Sequence, residues 1–149
     1  MIKSINIQDT EEAEKIFHLQ RIAYQIEADI IHYNKIPPLT ETLYELMNST
    51  ETFIVYENQH EIIGCLSYQI KQQNVEICRL AIHPNHFKNG IATKLFNYLS
   101  SIKDIKQYLV STAEKNLPAI TFYIKNGFVE THKSTVDNLT LIHFRREKT

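Results

Sequence analysis

Between Thr52 and Ile82 the chain carries three strand-like runs in close succession: Thr52–Tyr56 (TFIVY), Glu61–Ile70 (EIIGCLSYQI) and Val75–Ile82. Each is rich in β-branched and apolar residues. Polar turns separate them, Asn58-Gln59-His60 and then Lys71–Asn74. Connections this short leave no room for a crossover helix, so the three runs must be successive antiparallel strands. A fold with strict strand–helix alternation is thereby excluded.

The rest of the chain is read around that meander. Ile2, Ile5 and Ile7 suggest a first strand. Asp9 or Thr10 can cap a helix, with Glu11, Glu12 and Glu14 well placed near its positive end. Its apolar stripe is expected through Ala13, Ile16, Phe17, Ile22, Ala23 and Ile26, and Ile30–Pro38 breaks it. A short helix is expected from Glu41 to Met47. After the meander come a helix from about Lys88 to Ile102, a strand at Tyr108–Ser111 and a helix at Asn116–Lys125. Pro118 sits near that last helix's start and Asn126-Gly127 ends it. Phe128–Lys133 and Leu139–Arg145 close the chain as strands. The order β-α-α-β-β-β-α-β-α-β-β predicts an α/β (α+β) fold. Its sheet should be mixed but mostly antiparallel, with about seven strands flanked by about four helices. The last strand, LTLIHF, alternates poorly, which suggests pairing with a second subunit in a homodimer.

With 149 residues and 43% hydrophobic content, the chain suits a single domain over 1–149. A formal charge of -1 and no basic patch with interleaved aromatics argue against nucleic acid as a partner. No stretch is apolar and long enough to span a bilayer, so no membrane partner is expected. Cys65 and Cys78 lie inside apolar strands and read as reduced thiols of a cytoplasmic protein. No Cys/His spacing of the zinc type occurs, so no metal is expected.

Two segments carry chemistry. In the first, the strand Glu76–Ile82 is stopped by His83-Pro84-Asn85, and a helix opens on Lys88-Asn89-Gly90-Ile91-Ala92-Thr93. The opening turn of a helix presents unpaired N–H groups, and small residues let a ligand approach them, which suits phosphate or pyrophosphate. The second segment is Asn116-Leu117-Pro118-Ala119-Ile120-Thr121-Phe122-Tyr123, followed by Gly127-Phe128.

Phe87-Lys88-Asn89-Gly90-Ile91-Ala92 resembles the acetyl-CoA signature of the GNAT N-acetyltransferase superfamily, Gln/Arg-x-x-Gly-x-Gly/Ala. Phe87 departs from it at the opening position. The second segment is similar to that family's Asn-x-x-Ala, Phe/Leu-Tyr and Gly-Phe elements in the same register. The element order matches too, so the resemblance covers essentially the whole chain. It implies a strand pair that splays before the signature and admits the pantetheine arm of acetyl-CoA, the cosubstrate. The backbone of Leu80, Ala81 and Ile82 would line that arm, and Phe87 to Thr93 would hold the pyrophosphate. Asn116 would bond the arm, Ala119 would leave it room, and Tyr123 would lie near the thioester sulfur as a proton donor.

For the base, strand periodicity puts Glu76 on one face with Cys78, Leu80 and Ile82, and the family's protein-lysine branch carries a glutamate there. The alternative is that Glu76 is merely solvated; His83 is a further candidate. Cys78 reads as packing, and Arg79 as a partner for a carboxylate or a solvent-facing residue. In the family, the early helices and their connection form the acceptor pocket. Here that is Tyr24–Leu39, with Glu27, Tyr33 and Pro38 as the residues to contact an amine. The reading is transfer of acetyl from acetyl-CoA to a primary amine of a small molecule or peptide, by direct attack. The alternative is a non-catalytic acyl-CoA-binding sensor or protein-interaction module.

Overall fold

A computed structural model describes every residue of the chain except Lys88. Its strands are β1 (Ile2–Ile5), β2 (Thr52–Asn58), β3 (Glu61–Lys71), β4 (Asn74–Ile82), β5 (Gln107–Ala113), β6 (Val129–Val136) and β7 (Leu139–Glu147). They form one sheet in the order β1-β2-β3-β4-β5-β7-β6. Every neighbouring pair is antiparallel except β4 and β5, which run parallel. The fold is therefore the mixed, mostly antiparallel sheet that the short turns require.

The helices are α1 (Thr10–Ile31), α2 (Pro37–Thr40), α3 (Leu43–Met47), α4 (Ile91–Tyr98) and α5 (Leu117–Lys125). Asp9 caps α1, its carboxylate accepting from the N–H groups of Glu11 and Glu12. The helix continues to Ile31 and ends on His32 in the left-handed region, where the sequence suggested a break from Ile30. The described residues form five α-helices, where about four were expected. Pro37 starts a separate turn, and Thr42 begins α3 with a capping box to Glu45.

Two apolar layers cover the sheet. One face packs against α4 and α5 around Ile54, Leu66, Leu95, Phe96 and Phe128. The other packs against α1 to α3 around Ile16, Leu19, Phe53, Val55 and Leu46. The buried stripe of α1 differs from the expected one. It runs through Ala13, Ile16, Leu19, Gln20, Tyr24, Ala28 and Ile31, while Ile22 is exposed. Two polar residues, Gln20 and Tyr24, thus hold positions that apolar side chains were expected to fill.

Gly64 on β3 fixes how closely α4 can approach. A Cβ there would lie 2.8 Å from Ile91 Cγ2 and 3.0 Å from Ile82 Cδ1. Those distances are inside van der Waals contact, so any larger residue pushes the first turn of α4 off the sheet. Ile91 is itself buried, which seats the helix start on this glycine.

Three expectations need correction. β4 carries a bulge: Ser67 pairs with Arg79 and Tyr68 with Ile77, so Cys78 is the extra residue. The bulge resets the alternation. Val75, Ile77, Leu80 and Ile82 face the α4 layer, while Glu76 shares the α1 side with Arg79 and Ala81. Glu76 therefore does not share a face with Leu80 and Ile82. Secondly, β7 has no free edge for a second subunit, because β5 pairs on one side of it and β6 on the other. The poor alternation of LTLIHF reflects an interior strand, and the sheet's open edges are β1 and β6. Thirdly, Cys78 is exposed at the bulge rather than a core thiol; Cys65 is buried as expected.

Candidate functional site

β4 and β5 pair only at Asn74–Gln107, Val75–Tyr108 and Glu76–Leu109. Beyond that point both strands continue without pairing, so the sheet opens into a V between Ile77–Ile82 and Val110–Ala113. The open edge of β4 can be assigned from its hydrogen bonds. The His83 N–H donates to Ile63 O at 2.8 Å, toward β3. By strand alternation the N–H groups of Ile82 and Leu80 point the other way, into the gap.

α1 straddles this gap. The Leu80 N–H donates to the Tyr24 hydroxyl at 3.1 Å, on the β4 arm. One turn further along α1, Glu27 Oε1 accepts from Asn116 Nδ2 at 2.7 Å, at the end of the β5 arm. Asn116 is buried and also caps α5, its Oδ1 accepting from the Ala119 N–H at 3.3 Å. Tyr123 follows Asn116 by two helical turns and so lies down the same face of α5. Its ring is buried among Phe122, Phe128 and Phe144. Its hydroxyl has no hydrogen-bond partner among the described residues.

The electrostatics of the cluster follow from burial. Burial pushes the Glu27 carboxyl up, and the Asn116 amide offsets part of that rise. Burial, with a smaller contribution from the Glu27 charge, pushes up the phenols of both Tyr123 and Tyr24. Glu27 makes no ion pair among the described residues.

A second polar cluster occupies the same side of the sheet. The Arg79 guanidinium reaches Glu51 Oε1 at 2.9 Å, Gln20 Oε1 at 3.0 Å and both carboxylate oxygens of Glu41. Ser67 Oγ donates to Glu51 at 2.6 Å, and Gln20 Nε2 to Glu41 at 3.1 Å. Every charge there has a partner, and the network ties the α2–α3 segment to β4. Arg79 is thus paired, one of the two placements its position allowed.

The helix-start segment lies at the mouth of the V. Gly90 caps α4 in the left-handed conformation, φ 74°; among the described residues no side chain caps the helix and nothing lies within 4 Å of where a Cβ on Gly90 would be. The first intrahelical bond is Lys94 N to Gly90 O at 3.0 Å, so the N–H groups of Ile91, Ala92 and Thr93 have no helical partner. Asn89 and Gly90 are exposed, Ala92 and Thr93 are partly so, and Phe87 is 49% exposed. Lys88 lies outside the described residues.

The structure brings Leu80, Ile82, Asn116, Ala119, Tyr123 and Glu27 to one place. It puts Glu76 on the α1 side of β4, opposite the face that carries Leu80 and Ile82. That carboxylate stands at the closed end of the V, where β4 and β5 still pair, and takes Lys71 Nζ at 3.3 Å. The side chain of Ala81 enters the α1-side core. Pro38 is buried, which makes it a packing residue of α2 rather than an open wall. Tyr33 donates its hydroxyl to Asp137 Oδ2 at 2.9 Å, tying the end of α1 to the β6–β7 turn. There it helps line a cleft of about 640 Å³ with Ile31, His32, Lys35, Glu114 and Asp137.

Tyr24 was not singled out from the sequence, and Gln20 was not either. A signal was present: Gln20, Tyr24 and Glu27 recur at helical spacing, a polar line on what proves to be the inward side of α1.

Comparison with known proteins agrees with this geometry. A family profile described as "Acetyltransferase (GNAT) domain" matches residues 49–130, more than half of the chain. The UPF0157 protein YqkA of Bacillus subtilis (strain 168) is 33% identical over 129 residues, covering 86% of this chain. The chain spans 38% of that protein's length. Among solved structures, the PaiA N-acetyltransferase of Thermoplasma acidophilum, in complex with coenzyme A, superposes with a TM-score of 0.76 at 20% identity. That alignment covers 99% of this chain and 98% of the other. Aminoglycoside 6'-acetyltransferase type Ii gives 0.77 at 18% identity, over 100% and 97%. The V in the sheet, the glycine-capped helix at its mouth and the profile match over the same segments together make this chain a member of the GNAT acetyltransferase family.

Proposed function

We propose that the protein transfers an acetyl group from acetyl-CoA to a primary amine of a small molecule or peptide, in a ternary complex. The observation that carries this reading is the V between β4 and β5, with Gly90 at its mouth and Asn116 and Tyr123 along its far wall. The residues present fit the substrate. Free N–H groups and open space at Gly90 suit a pyrophosphate without a side-chain charge. The unpaired edge of β4 suits the amides of the pantetheine arm, which would add to it as an extra strand does and displace the Tyr24 hydroxyl from Leu80.

In the reaction the amine nitrogen attacks the thioester carbonyl and a C–N bond forms. The C–S bond then breaks, and the thiolate takes a proton from the Tyr123 hydroxyl. A phenol held protonated by burial is suited to donate that proton rather than to lose it earlier. The surrounding Phe122, Phe128 and Phe144 rings fix the position of the Tyr123 ring. The acceptor enters past the end of α1, through the cleft at Tyr33 and Asp137.

Acetyl-CoA binding by calorimetry is the first test, and no binding at high micromolar concentration ends this reading. Release of free thiol is then followed across polyamines, amino acids, aminoglycosides, peptide N-termini and lysines. Tyr123→Phe should lower kcat by about 10²-fold while acetyl-CoA affinity stays within a factor of two. Equal loss of both would refute the proton-donor role. The bond between Tyr24 and Leu80 already satisfies one N–H that the arm would need, which favours a second reading: a non-catalytic acyl-CoA sensor. Slow acetyl-CoA hydrolysis with no gain from any amine would support that one instead.

A further inference from the structure

We infer that Glu27 receives the acceptor's ammonium group in the gap and takes its proton. The inference rests on the acyl-transfer reading above and supplies the proton acceptor that Glu76, facing Lys71 at the closed end of the V, is badly placed to be.

Four observations lead there. Glu27 is a half-buried carboxylate whose side-chain hydrogen bond is to a neutral amide, Asn116 Nδ2 at 2.7 Å. Among the described residues no cation pairs with it. A carboxylate withdrawn from water without a counter-ion is costly, and a fold keeps one when a cation arrives from outside. Secondly, the nearby Arg79 network shows that this chain gives its structural carboxylates a cationic partner. Thirdly, Glu27 sits over the open part of the V, between the β4 edge held by Tyr24 and the α5 start held by Asn116. Fourthly, the cleft at the end of α1 begins at Ile31, one turn beyond Glu27, so an acceptor lying in it can direct its amine at this carboxylate.

The proton balance closes. The ammonium binds Glu27 and gives it one proton, and the free amine then attacks. Tyr123 protonates the leaving thiolate and regains a proton from the nitrogen, which carries one too many after the attack, as the amide forms. The proton held by Glu27 leaves to solvent as the amide departs. The titratable groups facing Glu27 are Tyr24 on its own helix and Tyr123 on α5, both kept protonated through neutral pH by burial. Burial raises Glu27 itself above the usual carboxylate value, which makes it a better proton acceptor than a solvated carboxylate.

The decisive variant is Glu27→Gln, which keeps a partner for Asn116 but cannot accept a proton. With the best amine among spermidine, kanamycin and a peptide with a free N-terminal alanine, kcat at pH 7 should fall at least about 10²-fold. The variant's rate should climb with pH toward the amine's own pKa, and its acetyl-CoA affinity should stay within two-fold of the native protein. A rate within three-fold of native overturns the inference. So does a loss confined to acetyl-CoA affinity.

A measurement independent of turnover stands beside it. In the protein saturated with coenzyme A, the carboxyl carbon signal that disappears in Glu27→Gln should shift when ethylammonium is added. An unmoved signal also overturns the inference. If neither protein binds acetyl-CoA or releases thiol, acyl transfer itself fails, and the same ethylammonium titration on the protein without coenzyme A still decides whether Glu27 binds an ammonium.

Discussion

Two polar clusters lie under α1, and they are built on opposite principles. Around Arg79, the carboxylates of Glu41 and Glu51 share one guanidinium, so that each has an ion-pair partner, and Gln20 and Ser67 take up remaining hydrogen-bonding capacity. Around Glu27, one turn beyond Tyr24, a carboxylate has a single amide donor and the neighbouring tyrosine hydroxyls are neutral. The first cluster is closed and holds the α2–α3 segment to the sheet. The second is open and borders the V. Burial alone does not tell these two clusters apart; whether the carboxylate meets an opposite charge within the fold does.

The largest effect should come from breaking the closed cluster. Arg79→Met strands two carboxylates that are mostly withdrawn from water, with side-chain exposures of 13% and 18%. A loss of about 3 kcal/mol or more is expected in denaturant unfolding. Adding Glu41→Leu and Glu51→Leu should restore much of it, because removing all the charges also removes their desolvation cost.

Asn116→Ala is the intermediate case. It removes the cap of α5 and the donor to Glu27 together, for about 1–2 kcal/mol by thermal melting.

Glu27→Gln should have the smallest effect on stability, and of opposite sign. A carboxyl whose folded-state pKa is raised binds its proton more tightly when folded. It therefore costs stability above the unfolded-state value and costs nothing well below it. The variant should match the native protein at pH 3 and exceed it at pH 7 by up to about 1 kcal/mol. A destabilised variant at neutral pH would place Glu27 with the structural cluster and erase the contrast.

Much of the fold was legible because it is written in turns. Asn58–His60 and Lys71–Asn74 permit only hairpins, and Gly127 takes the left-handed conformation, φ 87°, that its place after α5 suggested. What was not legible depends on partners remote in sequence. The run EICRLAI alternates like an uninterrupted strand, and only its pairing with β3 reveals that Cys78 is an inserted residue. That single bulge moved Glu76 off the face assigned to it. The interior position of β7 depends on β6 passing outside it, which no local pattern records. On α1 the core stripe was traced through apolar residues alone; Glu27 was named from the family resemblance, while Tyr24, which also reaches the gap, was not singled out. The segments around Gly90 and Asn116 were readable for a different reason: their tasks use backbone geometry and a helix cap, both fixed within a few residues.

α1 also works as a partition. By touching both arms of the V, it covers the opening on its own side of the sheet and leaves the α4 side free. On the acyl-transfer reading, donor and acceptor then use separate doors, one at Gly90 and the other past Tyr33. Neither has to wait for the other to arrive or leave. The order of addition is accordingly a matter of relative concentrations rather than of architecture, and the amide product can depart while the spent carrier is still in its groove.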